Sequence, residues 1–177
     1  MTRFRTARRA LPVAVATLAL LSTGCGSDDK ASGTVKVTAE DYSYDDLPSE
    51  AETGTVLTLT NSSSKELHEI AAFRLPDGET RPVADLVKLP QAELNAVLGG
   101  PPAMVLLAPP GGAPEIKAVG DGTLKDPGRY AVICTIPTGA DPAAYLQAAQ
   151  TSGDGPPQVA GGPPHFTKGM YGQVVIG

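Results

Sequence analysis

GRYAVICTIP (residues 128–137) and PPHFTKGMYGQVVI (residues 163–176) bound the last fifty residues of the chain and decide its fold. Each stretch contains an apolar, β-branched run that is typical of a buried strand. Cys134 ends the first run, and His165 and Met170 lie in a Gly/Pro-rich loop just before the second run. A thiol, an imidazole and a thioether at one end of two strands form a donor set that suits a soft metal ion.

The composition favours a domain of short strands joined by many turns. The 177 residues include 20 Gly and 17 Pro but only three Phe, five Tyr and no Trp, which disfavours a protein of long helices. This length accommodates one domain and a targeting segment. Four of the 14 basic residues and none of the 19 acidic ones lie in residues 1–24, so residues 25–177 have a net charge of −9. An acidic domain without a basic patch argues against nucleic acid as a partner.

The first 24 residues have the organisation of a signal peptide. Four arginines between positions 3 and 9 precede an apolar segment from Ala10 to Leu21, and the small residues that follow lead to Cys25. This apolar segment is too short for a transmembrane helix, and its proportions match those of an export signal.

The residues around Cys25 predict a lipid anchor. Leu21-Ser-Thr-Gly-Cys25 resembles a bacterial lipobox, in which the cysteine is lipidated and becomes the mature N-terminus. Residues 25–33 are polar and small, as in a flexible tether, and a single domain is then expected over residues 34–177. We therefore expect a lipoprotein of the cell envelope, anchored to the outer face of the membrane. Ordinary cleavage that leaves a free Cys25 is the alternative.

Cys134 is the one remaining thiol once Cys25 is assigned to lipid. Exported cysteines usually pair as disulfides, so an unpaired one needs a reason. A buried, inert thiol and a metal ligand are both compatible with its position.

Alternating and apolar runs predict seven strands. They span residues 34–38, 54–61, 66–73, 104–107, 115–119, 128–134 and 171–176. Two short helices are expected, one after Pro90 and one from Pro142 to Gln150, because Pro is favoured at the start of a helix. The first helix belongs to residues 76–100, which break the β pattern and are predicted to lie outside the sheets. The fold class is therefore an all-β, antiparallel Greek-key β-sandwich with short helical insertions.

Metal-ligand candidates fall at specific places in this pattern. The chain has two histidines, and His68 lies on the predicted strand 66–73, where it shares a face with Ile70 and Ala72. In the predicted strand 128–134, Cys134 points the same way as Tyr130 and Val132.

These segments resemble the cupredoxins, the small blue-copper proteins that include plastocyanin. ELHEIAAF (residues 66–73) is similar to the family's first ligand strand, GRYAVICTIP to its cysteine strand, and HFTKGMYGQVVI to its His, four residues, Met, strand ending. The resemblance implies one copper ion bound by His68, Cys134, His165 and Met170. It also implies one-electron transfer, because a thiolate, two imidazoles and a long thioether suit both oxidation states of copper.

Two features depart from the family pattern. Thirty residues separate Cys134 from His165, where plastocyanin-like loops have only a few, so residues 138–163 are an insertion in the ligand loop. The insertion either loops outward, caps the site or forms a surface for a partner. Glu69 follows the first histidine, where the family often has Asn; its carboxylate is a candidate acceptor behind the ligands.

The leading hypothesis is a membrane-tethered electron carrier that exchanges electrons with a redox partner, or copper with a donor or acceptor protein, of the cell envelope. A copper carrier or storage lipoprotein with the same ligands is the first alternative. A metal-free cupredoxin-like module that binds an envelope partner through the insertion is the second. An enzyme is not expected, because the sequence contains no Ser/His/Asp set, no phosphate-binding Gly loop and no second metal cluster.

Overall fold

The computed structural model describes residues 30–153 and 155–177. The predicted signal peptide and the lipidation site Cys25 lie outside these residues. Within the described ranges, no helix is both long and apolar enough to cross a membrane.

The described residues form nine strands, three α-helices and one 3₁₀ helix. In chain order they are β1 (Thr34–Glu40), β2 (Ser43–Asp45), β3 (Glu50–Ala51), β4 (Val56–Asn61), β5 (His68–Arg74), α1 (Val83–Leu86), α2 (Gln91–Leu98), β6 (Met104–Ala108), β7 (Ile116–Val119), β8 (Gly128–Ile133), α3 (Pro142–Ala149), the 3₁₀ helix (His165–Lys168) and β9 (Tyr171–Ile176). One sheet has the order β2-β1-β4, and the other has the order β3-β9-β8-β5-β6-β7. The predicted β-sandwich with short helices is confirmed.

The pairing within the sheets is predominantly antiparallel, as predicted, with two parallel pairs in addition. The pairs β1–β4 and β3–β9 are parallel, while the other pairs are antiparallel. The reason is connectivity. After the β1–β2 hairpin the chain crosses to the edge of the other sheet as β3 and then returns beside β1 as β4, in the same direction as β1.

The core between the two sheets follows from alternating sequence patterns. In β1, Val37 and Ala39 are buried, and in β4, Leu57 and Leu59 are buried, while the residues between them are more exposed. Such alternation is expected where one face of a sheet packs and the other meets water. Strand β5 is buried over its first five residues because both faces of the larger sheet are covered.

Residues 76–100 cover the outer face of the larger sheet. They lie outside the sheets, as predicted, but they form a second apolar cluster with it: Leu75, Val83, Leu86, Leu94, Leu98, Ala131, Ile133 and Phe166. Arg129 of β8 fixes this segment, because its guanidinium donates hydrogen bonds to the backbone oxygens of Glu79 and Arg81. The excursion is therefore a structural layer rather than a loose addition.

Paired structure begins slightly before the expected domain start at residue 34. Ala31 pairs with Ala51, accepts a hydrogen bond from the amide of Glu52 at 2.8 Å and donates one to Glu50. The last residues of the predicted tether thus lie against the edge strand β3.

The strand directions bring three chain segments to one end of the larger sheet. Strand β8 runs antiparallel to both β5 and β9. The end of β8, the start of β5 and the start of β9 consequently meet at the same edge. Cys134, His68 and Met170 occupy these three positions.

The outer apolar layer predicts a specific effect on stability. Leu86 is fully buried, so we expect Leu86→Ala to lower the free energy of unfolding by about 2–5 kcal/mol, as for other large-to-small core changes. Val119→Ala is the control, because Val119 is 41% exposed and should cost less than about 0.5 kcal/mol. Urea unfolding of both variants measures the difference in the free energy of unfolding. Equal, small losses would contradict the claim that residues 76–100 pack on the larger sheet as a buried layer.

Candidate metal centre

Three potential ligands converge in a buried cluster at this end of the sandwich. His68 opens β5, Cys134 directly follows β8, and His165 begins the 3₁₀ helix that precedes β9. All three side chains are fully buried. Their ligand atoms lie within 4.8 Å of one another.

The two imidazoles and the thiol face a common point. His165 Nδ1 lies 3.2 Å from His68 Nδ1 and 3.3 Å from Cys134 Sγ. The two rings are tilted by 56°, with their centroids 5.0 Å apart. The Nδ1 atoms are thus the nitrogens offered to the shared centre, and the Nε2 atoms point outward.

Met170 adjoins this cluster through its backbone. Its carbonyl accepts a hydrogen bond from the Cys134 amide at 3.1 Å, and its amide donates to the His165 carbonyl at 3.3 Å. The side chain of Met170 is fully buried in the core between the sheets. Gly169 precedes it with a φ of 117°, a left-handed conformation that favours glycine and that lets the chain turn from the 3₁₀ helix into β9.

The insertion 138–163 leaves and re-enters the fold through a closed neck. Thr138 donates its amide to Pro163 at 3.1 Å and accepts a hydrogen bond from Gly162 at 2.8 Å. A Cβ on Gly161 would lie 2.5 Å from Pro137 Cβ, so the two arms of the neck approach closely only because this residue is glycine. Thirty residues therefore intervene between Cys134 and His165 without separating them.

Within the neck, hydrogen bonds continue the pairing of β8 and β9 as far as the ligands. Phe166 donates its amide to the Cys134 carbonyl at 2.9 Å, and His165 donates to Ile136 at 3.0 Å. These bonds fix the 3₁₀ helix against the residues that follow β8. The positions of Cys134 and His165 are thus set by backbone pairing.

The helix of the insertion packs against the sandwich instead of looping outward. Asp141 caps α3 by accepting a hydrogen bond from the Ala144 amide at 2.7 Å, an arrangement that satisfies a free N–H of the first turn. Tyr145, on the next turn, is 2% exposed and belongs to the core between the sheets. Its hydroxyl lies 3.4 Å from Glu69 Oε2.

Glu69 joins β5 to the residue after the cysteine. Its Oε1 accepts hydrogen bonds from the Thr135 amide at 2.7 Å and from the Thr135 hydroxyl at 2.6 Å. The backbone carbonyl of Glu69 also accepts a hydrogen bond from the Tyr44 hydroxyl. A buried carboxylate with this many donors braces the Cys134–Thr135 backbone from behind the ligands.

Burial controls the ionisation of the acidic groups. It raises the pKa of the Cys134 thiol well above its ordinary value, and the Glu69 charge adds to this effect. Burial also raises the pKa of Glu69, an effect that the hydrogen bonds from Thr135 partly offset. The thiolate is therefore disfavoured unless a cation compensates its charge, as a coordinated metal does.

The outer nitrogens of the histidines face residues that sequence reasoning missed. His165 Nε2 lies 3.5 Å from Glu66 Oε2, and His68 Nε2 lies 3.8 Å from Asp41 Oδ1. Tyr42 packs its ring edge-on against His165, with centroids 5.1 Å apart. Glu66 lies two residues before His68 in the sequence but precedes β5, and its contact with His165 depends on packing between distant segments. Asp41 and Tyr42 had no signal in the sequence, since their turn between β1 and β2 belongs to the other sheet.

The donor set fits a copper ion. An ion about 2 Å from each of three donors in a plane needs those donors roughly 3.5 Å apart. The two distances from His165 Nδ1, 3.2 and 3.3 Å, agree with this requirement, and all three donors lie within 4.8 Å of one another. Two imidazoles and one thiol, with Met170 hydrogen-bonded through its backbone to Cys134 and His165, match the ligand types of a blue-copper centre. Both outer Nε2 atoms are buried and have no hydrogen-bond partner among the described residues.

Comparison with known proteins gives distant structural likenesses. No protein-family model and no curated protein matches the chain. The structure is similar to Na-dithionite-reduced auracyanin from the photosynthetic bacterium Roseiflexus castenholzii, with 21% identity over 83% of this chain and 98% of that chain and a TM-score of 0.43. It is also similar to auracyanin A, a "blue" copper protein of Chloroflexus aurantiacus (18% identity, 81% and 98% coverage, TM-score 0.42), and to auracyanin B (14%, 85% and 93%, 0.32).

The resemblance to cupredoxins predicted from the sequence is confirmed. The two-sheet sandwich and the buried His-Cys-His group occur together, with the group at the end of the larger sheet. Because the likenesses to solved structures are distant, the chemistry of the site is inferred from its own donor atoms.

The metal-free protein is expected to lose stability on acidification. Burial, and then the neighbouring His165, lowers the pKa of His68 from 6.5 to about 4, so the unfolded chain binds this proton more tightly than the folded chain does. The resulting stability is present above pH 6.5 and is lost as the pH falls towards 4, up to about 2 kcal/mol between pH 7 and pH 4.5. Urea unfolding at these two pH values measures it.

His68→Gln provides the control for this pH dependence, because it removes the titrating group and leaves the other acids and bases in place. The variant should lose less stability than the wild type over the same interval. Equal losses in the two proteins would show that His68 is not buried in its neutral form.

Proposed function

We propose that the protein binds one copper ion at His68, Cys134, His165 and Met170 and carries single electrons. The observation that supports this most directly is the convergence of His68 Nδ1, Cys134 Sγ and His165 Nδ1 within 4.8 Å in a fully buried cluster. A thiol, two imidazoles and a thioether are donors that suit both Cu(I) and Cu(II).

The copper ion would supply the redox couple, and the chain would keep its surroundings constant. His68 is fixed by a strand, Cys134 by the hydrogen bond from its amide to Met170, and His165 by its hydrogen bond to Ile136. Ligands held on rigid elements rearrange little between oxidation states. Burial of all three side chains keeps water away from the centre.

The proposal includes export and membrane attachment. Residues 1–24 would direct secretion, Cys25 would carry the lipid, and the domain of residues 34–177 would face the outside of the membrane on the short tether. Its partner would be a redox protein, or a copper donor or acceptor, of the cell envelope. The residues that support export and lipid attachment are those of segment 1–25, which lies outside the described residues.

Copper binding and redox cycling of the chain from residue 26 onward separate this function from its alternatives. Addition of Cu(II) should produce the intense red-region absorption of a thiolate bound to copper, together with a reversible one-electron couple. Binding of Cu(I) without a reversible couple would favour a copper carrier or storage protein. Failure to bind either ion would leave the metal-free module.

Cys134→Ser is expected to abolish the colour. The absorption requires a copper–thiolate bond, and among the described residues Cys134 is the one cysteine. Visible spectroscopy of the variant after Cu(II) addition gives the result. Retained colour would overturn the ligand assignment.

Met170→Leu is expected to keep the colour and to raise the reduction potential. Loss of the thioether would weaken Cu(II) binding more than Cu(I) binding, and each tenfold change in this ratio corresponds to about 59 mV for one electron. Voltammetry measures the shift.

Met104→Leu is the matched control for Met170→Leu, because Met104 is equally buried but opens β6, away from the His68 end of β5. The strand register pairs it with Ala72, whereas His68 pairs with Ala108. It should leave the potential unchanged. Equal shifts in the reduction potential of the two variants would show that Met170 is not a copper ligand.

A further inference from the structure

Each imidazole of the cluster turns its outer nitrogen towards a carboxylate. Glu66 Oε2 lies 3.5 Å from His165 Nε2, and Asp41 Oδ1 lies 3.8 Å from His68 Nε2. Both nitrogens are buried, and neither has a hydrogen-bond partner within the described part of the chain. A buried polar nitrogen without a partner is costly, so these two contacts call for an explanation.

The histidine tautomer that metal binding requires explains why a carboxylate lies beside the outer nitrogen. If Nδ1 of His165 gives its lone pair to a metal, the neutral ring must carry its proton on Nε2. That N–H then needs an acceptor, and Glu66 Oε2 is the carboxylate oxygen beside it. We propose that Glu66 is a positioning residue that accepts the Nε2 proton of His165 and so presents Nδ1 to the copper. This inference rests on the proposed copper-binding function.

Glu66 is itself held in place. The Gly139 amide lies 3.2 Å from each of its carboxylate oxygens. Its backbone carbonyl accepts a hydrogen bond from Asn61 Nδ2 at 2.8 Å. The side chain is 17% exposed. An acceptor fixed in this way before the metal arrives can orient a ring without a further loss of side-chain entropy.

Asp41 is placed differently, although it has the same charge. Its side chain is 66% exposed, so water solvates its carboxylate and screens its interaction with His68. It also lies in the short turn between β1 and β2. The two carboxylates have the same charge but differ in exposure to solvent. Asp41 therefore provides a matched control for Glu66.

This arrangement gives the insertion a role at the metal site. Gly139 belongs to the insertion 138–163, and its amide donates to the carboxylate of Glu66. The insertion thus holds a residue that would orient a ligand, while the ligands themselves come from outside it. Gly139 contacts Glu66, and Glu66 in turn contacts His165.

The charge of Glu66 has a direct consequence for copper. A carboxylate on the outer nitrogen makes an imidazole a stronger base, which favours Cu(II) over Cu(I). Loss of such a partner typically weakens metal binding 10–100-fold. For Glu66→Gln we expect about tenfold weaker Cu(II) binding with little change for Cu(I), which at 59 mV per tenfold for one electron is a rise in reduction potential of about 60 mV.

The experiment compares Glu66→Gln, Asp41→Asn and the wild type of the purified protein. Voltammetry gives the reduction potential, and competition with chelators gives the affinities for Cu(II) and Cu(I) separately. Proton NMR of the diamagnetic Cu(I) form observes the Nε2–H of His165, which should be slow to exchange and strongly deshielded in the wild type. It should shift or disappear in Glu66→Gln and stay in Asp41→Asn.

The possible outcomes separate this inference from the proposed function. A rise in potential and an altered Nε2–H confined to Glu66→Gln support the positioning role. An unchanged potential and unchanged NMR signal in a blue Glu66→Gln protein overturn it and leave copper binding intact. Equal shifts in both variants also overturn it, because they would reflect net charge alone. A wild type that binds no copper overturns the proposed function and the inference together.

If Glu66→Gln fails to fold, Glu66→Asp tests the same contact, since it keeps the charge and withdraws it by one methylene. Circular dichroism of each variant establishes that it is folded. A folded Glu66→Asp protein with the wild-type potential and NMR signal would contradict the need for a close acceptor.

Discussion

The site depends on the pairing of β8 with β9 and on its continuation past the ends of both strands. Hydrogen bonds of the Cys134 amide to Met170, of Phe166 to Cys134, and of His165 to Ile136 carry the ladder into the neck of the insertion. A loop of thirty residues would otherwise let its ends separate, because its closure costs entropy. Here the closure is enforced by backbone hydrogen bonds, and the ligands occupy positions that the pairing defines.

The remaining parts of the site support this frame from two sides. On the inner side, Glu69 joins β5 to Thr135 and so fixes the first histidine strand relative to the cysteine. On the outer side, Glu66 and Tyr42 cover the His165 ring. The interior is unfavourable for a thiolate, as the raised pKa of Cys134 shows. A buried thiol surrounded by fixed donors is stable when neutral and becomes a ligand when a cation replaces its proton.

The sequence predicted the features that depend on local pattern. Alternation located β1 and β4, and the apolar run before Cys134 indicated the inward face of β8, because each signal lies within a few residues. Strands β2 and β3 were not predicted, since they are two or three residues long in a turn-rich, polar segment and exist only through their partners. The cover of the outer sheet face and the contacts of Asp41 and Tyr42 were also missed, because they depend on packing between distant segments. The contact of Glu66 with His165 was missed for the same reason.

The insertion bears on the choice between a copper protein and a metal-free binding module. A module that used residues 138–163 only to bind a partner would not need contacts between the insertion and the ligand cluster. The insertion instead sends Tyr145 into the core beside Glu69 and places the Gly139 amide beside the Glu66 carboxylate. Both carboxylates lie next to candidate ligand residues, one behind Cys134 and one in front of His165. The insertion therefore contacts the residues around the candidate ligands at two points. This favours a metal-binding protein over a metal-free module in which the insertion serves only to bind a partner.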